Sequence, residues 1–468
     1  MSLQNALLLD PHAFDVWIAH RKDGIKGTGT INDPYDGSTD ERFDGIMASL
    51  PQNVPVRVHL GPSSPAEPFQ TKGFSLSSTG TPNASPAWQP RPGMKIVGSG
   101  KDVTFLQLKL PGTPTANNHY FAIGAPTTAP VDFLEVSDLT IDCNLPSGSS
   151  VACGAIRVMG NHVRIQRVKC VNWGSRTTAQ CGFVVALIIA DPDSGSSVVQ
   201  ADDARIEECI AVEPSDHNNV ANAVVNIFHI GGRELTDTAV TFFGRGPFIR
   251  NCFVDCDSPT PASPATEFRA LSMGGCQGGI VEANQIHNTQ YAGPYQQRIN
   301  TREIIVRNNT FRNVVKGPFW NLGATAGIRV EKILVERNTA ELVAANVAAP
   351  VGPAIGIHVK DNGASAHPYE ELILRNNRIR YTDGTPGTFT GYAIDVTGTD
   401  ALIVENNVVE VSPVNPIRNE RCDAVKYFNN ETPGGKLILG WESDFDFNYG
   451  ELTTDAEDAF VLSFMKRR

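Results

Sequence analysis

The sequence lacks the long apolar runs that cross membranes as helices. No stretch of about 18 consecutive apolar residues occurs, so we expect no membrane span. A basic segment followed by an apolar one is also missing at the start, so this chain shows no secretory leader. Hydrophobic residues make up 41% and charged residues 19% of the 468 positions, which is typical of a folded protein and not of a disordered one.

Basic charge and paired cysteine motifs are scarce as well. The formal net charge is −11, whereas nucleic-acid binders carry basic faces, so we expect no nucleic-acid partner. A neutral or anionic sugar polymer is still allowed, because a groove can be basic while the whole protein is acidic. The nine cysteines are an odd number without a CxxC pair, which indicates neither a zinc site nor a full disulfide framework.

The sequence does contain an internal repeat. Its unit is an apolar residue, two mostly polar residues, a special residue, any residue and a second apolar residue. The copies are VSDLTI (136–141), IQRVKC (165–170), IEECIA (206–211), IRNCFV (249–254), VEANQI (281–286), VRNNTF (306–311), VERNTA (335–340), LRNNRI (374–379) and VENNVV (404–409). They recur about every 34 residues, more than the roughly 20 to 25 that a bare solenoid coil needs, so we expect long loops between them.

The special position of this repeat predicts a stack of inward-facing residues. In chain order it holds Leu139, Val168, Cys209, Cys252, Asn284, Asn309, Asn338, Asn377 and Asn407. Asparagine tolerates a left-handed turn conformation and can hydrogen-bond to its equivalent in the next coil, so the last five predict an asparagine ladder. Free cysteine behaves as a small buried hydrophobe, and the first four therefore predict an apolar part of the same stack.

A second strand with alternating polarity precedes most copies and ends in glycine or asparagine, as in GAIRVMG (154–160) and YAIDVTG (392–398). We therefore predict an all-β fold, a single-stranded right-handed parallel β-helix, because stacked coils explain the repeat. A β-sandwich with unrelated asparagine turns is the alternative, and it does not predict the repeat.

The ends of the chain predict caps. Ser38 and Glu41 form a capping box before an amphipathic helix that Pro51 stops, and we expect this helix to close the N-terminal end. Thr454 begins a second possible helix, although AFVLSF (459–464) fits a strand equally well. The predicted regions are an N-terminal segment and capping helix at 1–60, the β-helix at 61–420 and a C-terminal cap at 421–468.

Several segments resemble the entry coils of the pectate-lyase-like superfamily. They are DPYDGSTD (33–40), HLGP (59–62), FQTKG (69–73), IVGSG (96–100) and LTIDCN (139–144). The resemblance covers nearly the whole chain as architecture, and it implies a secreted or cell-envelope protein that binds a polysaccharide or oligosaccharide. It leaves the activity open between an enzyme that cleaves or modifies a polysaccharide and a non-catalytic adhesin or tailspike-like binder. The short tail after Asn407 favours a monomer over a tailspike-like trimer.

The catalytic patterns of that superfamily do not carry over. The polygalacturonase-like series is absent, with only a lone pair at Asp202-Asp203, and the pectate-lyase-like Trp-Ile-Asp-His is missing its acid at WIAH (17–20). Lyase and hydrolase chemistry therefore both stay open, with a slight preference for a lyase acting on an acidic polysaccharide.

Alignment of the second strands by their glycine corners predicts one exposed row along the solenoid. Its members are Arg157, Phe228, Trp320, His358 and Asp395, with Asn226, Arg269 and Lys360 beside them. Aromatic faces stack on sugar rings, and a cation can neutralise a uronate carboxylate and ease removal of the adjacent proton. We expect catalytic roles for Arg269, His358, Lys360 and Asp395 and substrate contacts from the others. The alternative is an ordinary solvated sheet face.

Three further groups are candidates. The first is His229 and Glu234 as acid and base with Arg233 binding substrate, near Asp216 and His217; the alternative is a half-buried histidine and a surface ion pair. The second is Asp255, Asp257 and Glu267 with Asp191 and Asp193, as a Ca²⁺ site or a hydrolase acid–base pair; the alternative is acidic turns. The third is Tyr291 and Tyr295 with His287, as sugar contacts or loop packing. Ca²⁺ is the one cofactor that the sequence raises.

Overall fold

The computed structural model describes residues 14–52, 54–77, 81–83, 86–126, 128–146, 149–175, 187–189, 201–214, 223–231, 244–256, 266–289, 295–297, 301–314, 320–323, 329–343, 354–361, 367–383, 392–410, 415–431, 437–439 and 450–452. Within these ranges no helix is both long and apolar enough to cross a membrane. The described residues form two units, the first ending at Met273 and the second beginning at Gly274.

The first unit contains the helix α1 (Asp40–Ser49) and a series of short strands. They are β1 (Phe14–Ala19), β2 (Tyr35–Asp36), β3 (Val56–Leu60), β4 (Phe69–Thr71), β5 (Phe74–Leu76), β6 (Lys95–Val97), β7 (Phe105–Leu108), β8 (His119–Gly124), β9 (Glu135–Asp142), β10 (Ala152–Val158), β11 (Arg164–Val171), β12 (Gly174–Ser175), β13 (Leu187–Ile189), β14 (Arg205–Glu207), β15 (Ile210–Ala211), β16 (Ala223–Gly231), β17 (Gly244–Arg245), β18 (Phe248–Arg250), β19 (Phe253–Asp255) and β20 (Thr266–Gly274).

These strands build three parallel sheets, and successive turns of the chain add a strand to each. Sheet 1 of the first unit contains β8, β10, β13 and β16. Sheet 2 contains β3, β6, β14, β18 and the first halves of β9 and β11. Sheet 3 contains β4, β7, β15, β19 and the second halves of β9 and β11. The chain therefore coils through all three sheets in order.

The second unit repeats this plan. Its strands are β21 (Cys276–Glu282), β22 (Gln285–His287), β23 (Tyr295–Gln297), β24 (Thr301–Arg307), β25 (Thr310–Arg312), β26 (Trp320–Gly323), β27 (Val330–Glu336), β28 (Thr339–Val343), β29 (Ala354–Lys360), β30 (Tyr369–Arg375), β31 (Arg378–Asp383), β32 (Tyr392–Glu405), β33 (Val408–Glu410), β34 (Asn415–Phe428), β35 (Leu437–Leu439) and β36 (Gly450–Leu452).

Sheet 1 of the second unit contains β23, β26, β29 and the first halves of β32 and β34. Sheet 2 contains β21, β24, β27, β30 and the second halves of β32 and β34. Sheet 3 contains β22, β25, β28, β31 and β33. Buried aliphatic residues align across the coils, as in the row Ile304, Ile333, Leu372 and Leu402.

Stacked three-strand coils of this kind are a parallel β-helix, and connections between parallel strands are right-handed in almost all proteins. The predicted fold class is therefore confirmed in each unit. The region boundaries at residues 60 and 420 stay predictions, and β34 runs across residue 420.

The special position of the repeat forms the predicted inner stack. In the first unit Leu139, Val168, Cys209 and Cys252 are buried, as are all eight described cysteines. In the second unit the asparagines form the predicted ladder. Each Nδ2 donates to the Oδ1 of the next asparagine at 2.9–3.0 Å, from Asn284 through Asn309, Asn338 and Asn377 to Asn407.

The left-handed conformation lies one residue before the stack, contrary to the sequence-based expectation. Positive φ angles occur at Ala283, Asn308, Arg337, Asn376 and Asn406, each of which precedes a ladder asparagine. The ladder residues are placed inward by this bend, because a left-handed residue turns the chain sharply between sheet 2 and sheet 3. Asparagine is required in the stack for its hydrogen bonds and not for its backbone conformation.

The N-terminal helix is present, with a shifted cap. The N-cap is Thr39 and not Ser38, because the Thr39 hydroxyl accepts a hydrogen bond from the Arg42 amide at 3.3 Å. The Ser38 amide donates instead to the Asp36 carboxylate at 3.0 Å, which holds Ser38 in the preceding turn. The buried face of the helix carries Phe43, which packs against Phe69. Closure of the solenoid end by this helix stays a prediction, and the possible helix after Thr454 lies outside the described residues.

Candidate active site on sheet 1 of the second unit

Four polar residues lie side by side on sheet 1 of the second unit. Asn321 pairs with His358, His358 with Asp395, and Asp395 with Arg418, on the consecutive strands β26, β29, β32 and β34. Parallel pairing without a shift brings equivalent positions of neighbouring strands within about 5 Å. His358, Asp395 and Arg418 are called the polar row below.

The polar row faces away from the core, yet it is largely covered. Ile357 and Val359 flank His358 in sequence and are fully buried inside the coil, so His358 points outward. Its side chain is only 12% exposed, and Asp395 is 0% exposed. A carboxylate and an imidazole on the outer face of a solenoid are thus shielded from water, as reacting groups in an enzyme commonly are.

Arg418 holds Asp395 through two parallel hydrogen bonds. The Nε and one terminal nitrogen of Arg418 donate to the two carboxylate oxygens of Asp395, each at 2.7 Å. Burial alone lowers the pKa of Arg418, but the hydrogen bonds and charge of Asp395 outweigh it, so that the pKa is raised. The guanidinium also lies over the Tyr392 ring, 4.5 Å from its centre. Asp395 and Arg418 therefore form a fixed, charge-neutral pair.

His358 lies next to this pair, in surroundings that favour the neutral imidazole. Its Nε2 is 3.8 Å from the Asp395 carboxylate. Burial lowers the pKa of His358; Asp395 raises it, Lys360 and Arg418 lower it further, and the net result is below the usual value. A neutral imidazole can accept a proton from a bound molecule, which is the first requirement of a general base.

Lys360 adds an exposed cation on the same face. It lies two residues after His358 on β29, so both side chains project from the same side of the strand. Within the described part of the chain Lys360 makes no ion pair. Five outward cations on the other two sheets of this unit form ion pairs across the coils: Arg307 with Glu282, Arg312 with Glu341, Lys332 with Glu371, Arg375 with Glu336 and Arg378 with Glu410.

Two aromatic members of the predicted exposed row face inward. Trp320 and Phe228 are both 0% exposed, so the prediction that they form a sugar-stacking platform is wrong. Trp320 pairs with the core residue Ile357, and Phe228 with the core residue Leu187. Each was placed one position away from its true register, and a one-residue shift moves a side chain to the opposite face of a strand.

The polar members from the first unit are also covered. Arg157 is 2% and Asn226 8% exposed, so their predicted place in an exposed row is wrong. His229, a candidate acid or base in a separate group, is 5% exposed. Arg157 aligns with Ile188 and then His229, again one position from the predicted register. The His229 Nε2 donates to the Gly231 carbonyl at 2.8 Å, in line with the alternative of a structural histidine. The predicted contacts of Arg157 and Asn226 with substrate, and the predicted catalytic role of His229, stay predictions.

Several predicted site residues cannot be placed. Arg233, Glu234, Asp216, His217, Tyr291, Asp191, Asp193 and Asp257 lie outside the described residues. Arg269 and Glu267 on β20 and Tyr295 on β23 have described backbone only. Asp255 and His287 are half-buried.

A different group has the geometry of metal ligands. One ligand atom each of His367, Asp400 and Asp423 lies within 4.8 Å of the others. The His367 Nδ1 is 3.1 Å from Asp400 and 3.4 Å from Asp423, so hydrogen bonds within the group account for its arrangement. Calcium prefers a shell of oxygen ligands, and a set that includes imidazole does not support the expected Ca²⁺.

Sequence reasoning missed Arg418 and Tyr392. A partial tenth copy of the repeat, YFNN (427–430), provides the signal: Asn430 stands at its special position, accepts from Asn407 at 3.0 Å and extends the ladder by one coil. Recognition of this copy identifies the preceding segment, which contains Arg418, as one more strand of sheet 1. Alignment of that segment with β32 then sets Arg418 beside Asp395.

No protein-family model and no curated protein matches this chain. Solved structures that are similar to it include the following three. The DFA-IIIase from Arthrobacter chlorophenolicus is 13% identical over 92% of this chain and 99% of its own, with a TM-score of 0.42. The Yersinia enterocolitica family 28 exopolygalacturonase is 9% identical over 90% and 78%, with a TM-score of 0.44. The A-module of an Azotobacter vinelandii mannuronan C-5 epimerase is 11% identical over 82% and 87%, with a TM-score of 0.32. At such scores these similarities carry no argument about chemistry.

Proposed function

We propose that this protein is a carbohydrate-active enzyme that cleaves or modifies an acidic polysaccharide or oligosaccharide at the polar row. One observation carries the proposal. An uncharged histidine, a shielded carboxylate–guanidinium pair and an exposed cation without an ion pair among the described residues occupy the same face of sheet 1.

The chemistry of these groups favours a uronate substrate. Lys360 can neutralise the carboxylate of a uronate ring, which stabilises the negative charge that develops when the proton beside that carboxylate is removed. His358 can take up this proton because it is neutral and lies two residues from Lys360. Loss of the proton followed by departure of the neighbouring glycosidic oxygen would give an unsaturated uronate, the product of a lyase.

A panel of uronate polymers and neutral polysaccharides tests the proposal. We expect the protein to release products from at least one uronate polymer, measured as ultraviolet absorbance of unsaturated uronates and as reducing ends. Unsaturated product indicates a lyase, and reducing ends alone indicate a hydrolase. Retention on a sugar array with no product from any polymer would support the binding protein instead and would overturn the proposal.

The variant His358→Gln locates the activity, and His367→Gln is its matched control. The His358 variant should lower kcat at least about a hundredfold, a typical contribution of a general base. His367 lies two residues before β30 of sheet 2 and does not belong to the polar row. Equal activity of the His358 variant and the unmodified protein would exclude the polar row as the active site.

A further inference from the structure

Arg418 makes more contacts than an ion pair requires. Besides its two bonds to Asp395, it donates to the Glu420 carboxylate at 3.0 Å and stacks over the Tyr392 ring. Its side chain is only 19% exposed. The direction of its guanidinium plane is therefore fixed by three separate partners.

Both carboxylate oxygens of Asp395 accept hydrogen bonds from Arg418, and this arrangement determines how Asp395 affects the pKa of His358. His358 is close enough to feel the carboxylate charge but, at 3.8 Å, does not hydrogen-bond to it. If Arg418 were absent, Asp395 would be a buried charge without a counter-ion. Such a charge costs several kcal/mol unless a nearby group supplies a positive charge. His358 is the neighbouring group that can do so, by taking up a proton.

We infer that Arg418 is a positioning residue, which fixes the Asp395 carboxylate and balances its charge so that His358 remains uncharged and able to accept a proton. This inference rests on the proposed function for its role in a reaction, but the state of His358 can be measured without a substrate. The charged groups that face His358 are Asp395 on β32, Arg418 on β34 and Lys360 on its own strand, and the neighbouring strand β26 sets the uncharged Asn321 in register with it.

The test is a titration of His358 by NMR, with the His358→Gln protein used to assign its imidazole signal. In Arg418→Met, which keeps an unbranched apolar stem and removes the guanidinium with its charge, the pKa of His358 should rise. Arg418→Lys, which keeps the charge but not the paired hydrogen bonds, should give an intermediate value. If a catalytic activity is found, the acid limb of its kcat/KM profile should move to higher pH by the same amount.

Arg375→Met is the matched control. Arg375 makes an equivalent ion pair with Glu336 at 2.8 Å on sheet 2 of the same unit, and its loss should leave the titration of His358 unchanged. An unchanged pKa of His358 in folded Arg418→Met would overturn the inference and leave Arg418 a merely structural residue.

A second pair of variants decides the matter if Arg418→Met does not fold. Asp395→Asn removes the carboxylate and leaves the guanidinium, so the pKa of His358 should fall below that of the unmodified protein. The double variant Asp395→Asn/Arg418→Met contains neither charge and should restore part of that fall. The same His358 pKa in both would also overturn the inference. A shift of the pKa without activity on any polymer would refute the proposed function alone.

Discussion

At the residue scale, the asparagine ladder provides hydrogen-bond partners for buried backbone groups at the bend between sheets 2 and 3. Asn338 is 0% exposed and donates from Nδ2 to the Val306 carbonyl at 3.0 Å and to Asn377 at 3.0 Å. Its Oδ1 accepts from the amide and the Nδ2 of Asn309, at 3.0 and 2.9 Å. The hydrogen bonds of this one side chain thereby link three successive coils.

We expect Asn338→Ala to lower the free energy of unfolding by about 3 kcal/mol. The substitution removes a hydrogen-bond partner from several buried polar groups, and one such loss costs about 1–3 kcal/mol. Urea unfolding measures the loss. The adjacent, outward-facing Thr339 provides the control, since Thr339→Ala should change the free energy by about 0.5 kcal/mol or less. A loss no larger than that of the control would show that water replaces the ladder contacts.

The ladder could be read from the sequence, whereas its backbone geometry could not. Five asparagines at one repeat position have a single common explanation, the inward stack. The left-handed residue before each of them is chemically mixed, and includes Ala283 and Arg337. Asparagine, which favours this conformation, occupies only three of the five positions, so residue type alone does not identify the left-handed residue.

At the element scale, strand existence was predictable and strand register was not. The strands around Phe228 and Trp320 were correctly expected, but alignment by glycine corners moved each by one position. Buried strands are apolar on both faces, as β8 and β10 are, so alternation does not reveal which side is inward. This error did not affect His358 and Asp395, which had been aligned correctly with each other.

The helix α1 is attached to the first coils by a buried carboxylate. Asp44 accepts from the Thr71 hydroxyl at 2.6 Å and from the Lys72 amide at 3.0 Å, which link the helix to β4. Burial raises the pKa of Asp44; the two hydrogen bonds lower it, Asp40 raises it, and the net value is above the usual one. The folded protein therefore binds this proton more tightly than the unfolded chain does.

This sign predicts how the contribution of Asp44 changes with pH. A raised pKa in the folded state contributes stability that grows as the pH falls through that pKa and is complete below the unfolded value, near 3.9. The free energy of unfolding of the unmodified protein, minus that of Asp44→Asn, should therefore increase from about pH 7 to about pH 4. Urea unfolding at a series of pH values measures the difference. Asp102→Asn, at a carboxylate that is 65% exposed, is the control and should show no such increase.

At the scale of the whole molecule, the proposed function requires an acidic protein to bind an acidic polymer against its own net charge of −11. Electrostatic attraction of the polymer then depends on individual cations that no neighbouring carboxylate neutralises. Ion pairs between coils match most outward cations on sheets 2 and 3 of the second unit, whereas Lys360 on sheet 1 has no such partner among the described residues. We therefore expect the charge pattern, and not the net charge, to select the face on which a polyanion binds.

The variants Lys360→Gln and Lys426→Gln separate local from overall charge. Both lysines are exposed and make no ion pair within the described ranges, but Lys426 lies in the sheet 2 half of β34. Lys360→Gln should weaken binding of a uronate oligosaccharide by about three- to tenfold, the value of an exposed ion pair of about 1 kcal/mol. The loss should shrink at high salt, because ions screen an exposed pair. Binding of a neutral oligosaccharide should not change. Calorimetric titration measures binding of both oligosaccharides. An equal loss of affinity in Lys426→Gln would mean that only the total charge matters and that the substrate does not bind preferentially at the sheet 1 face.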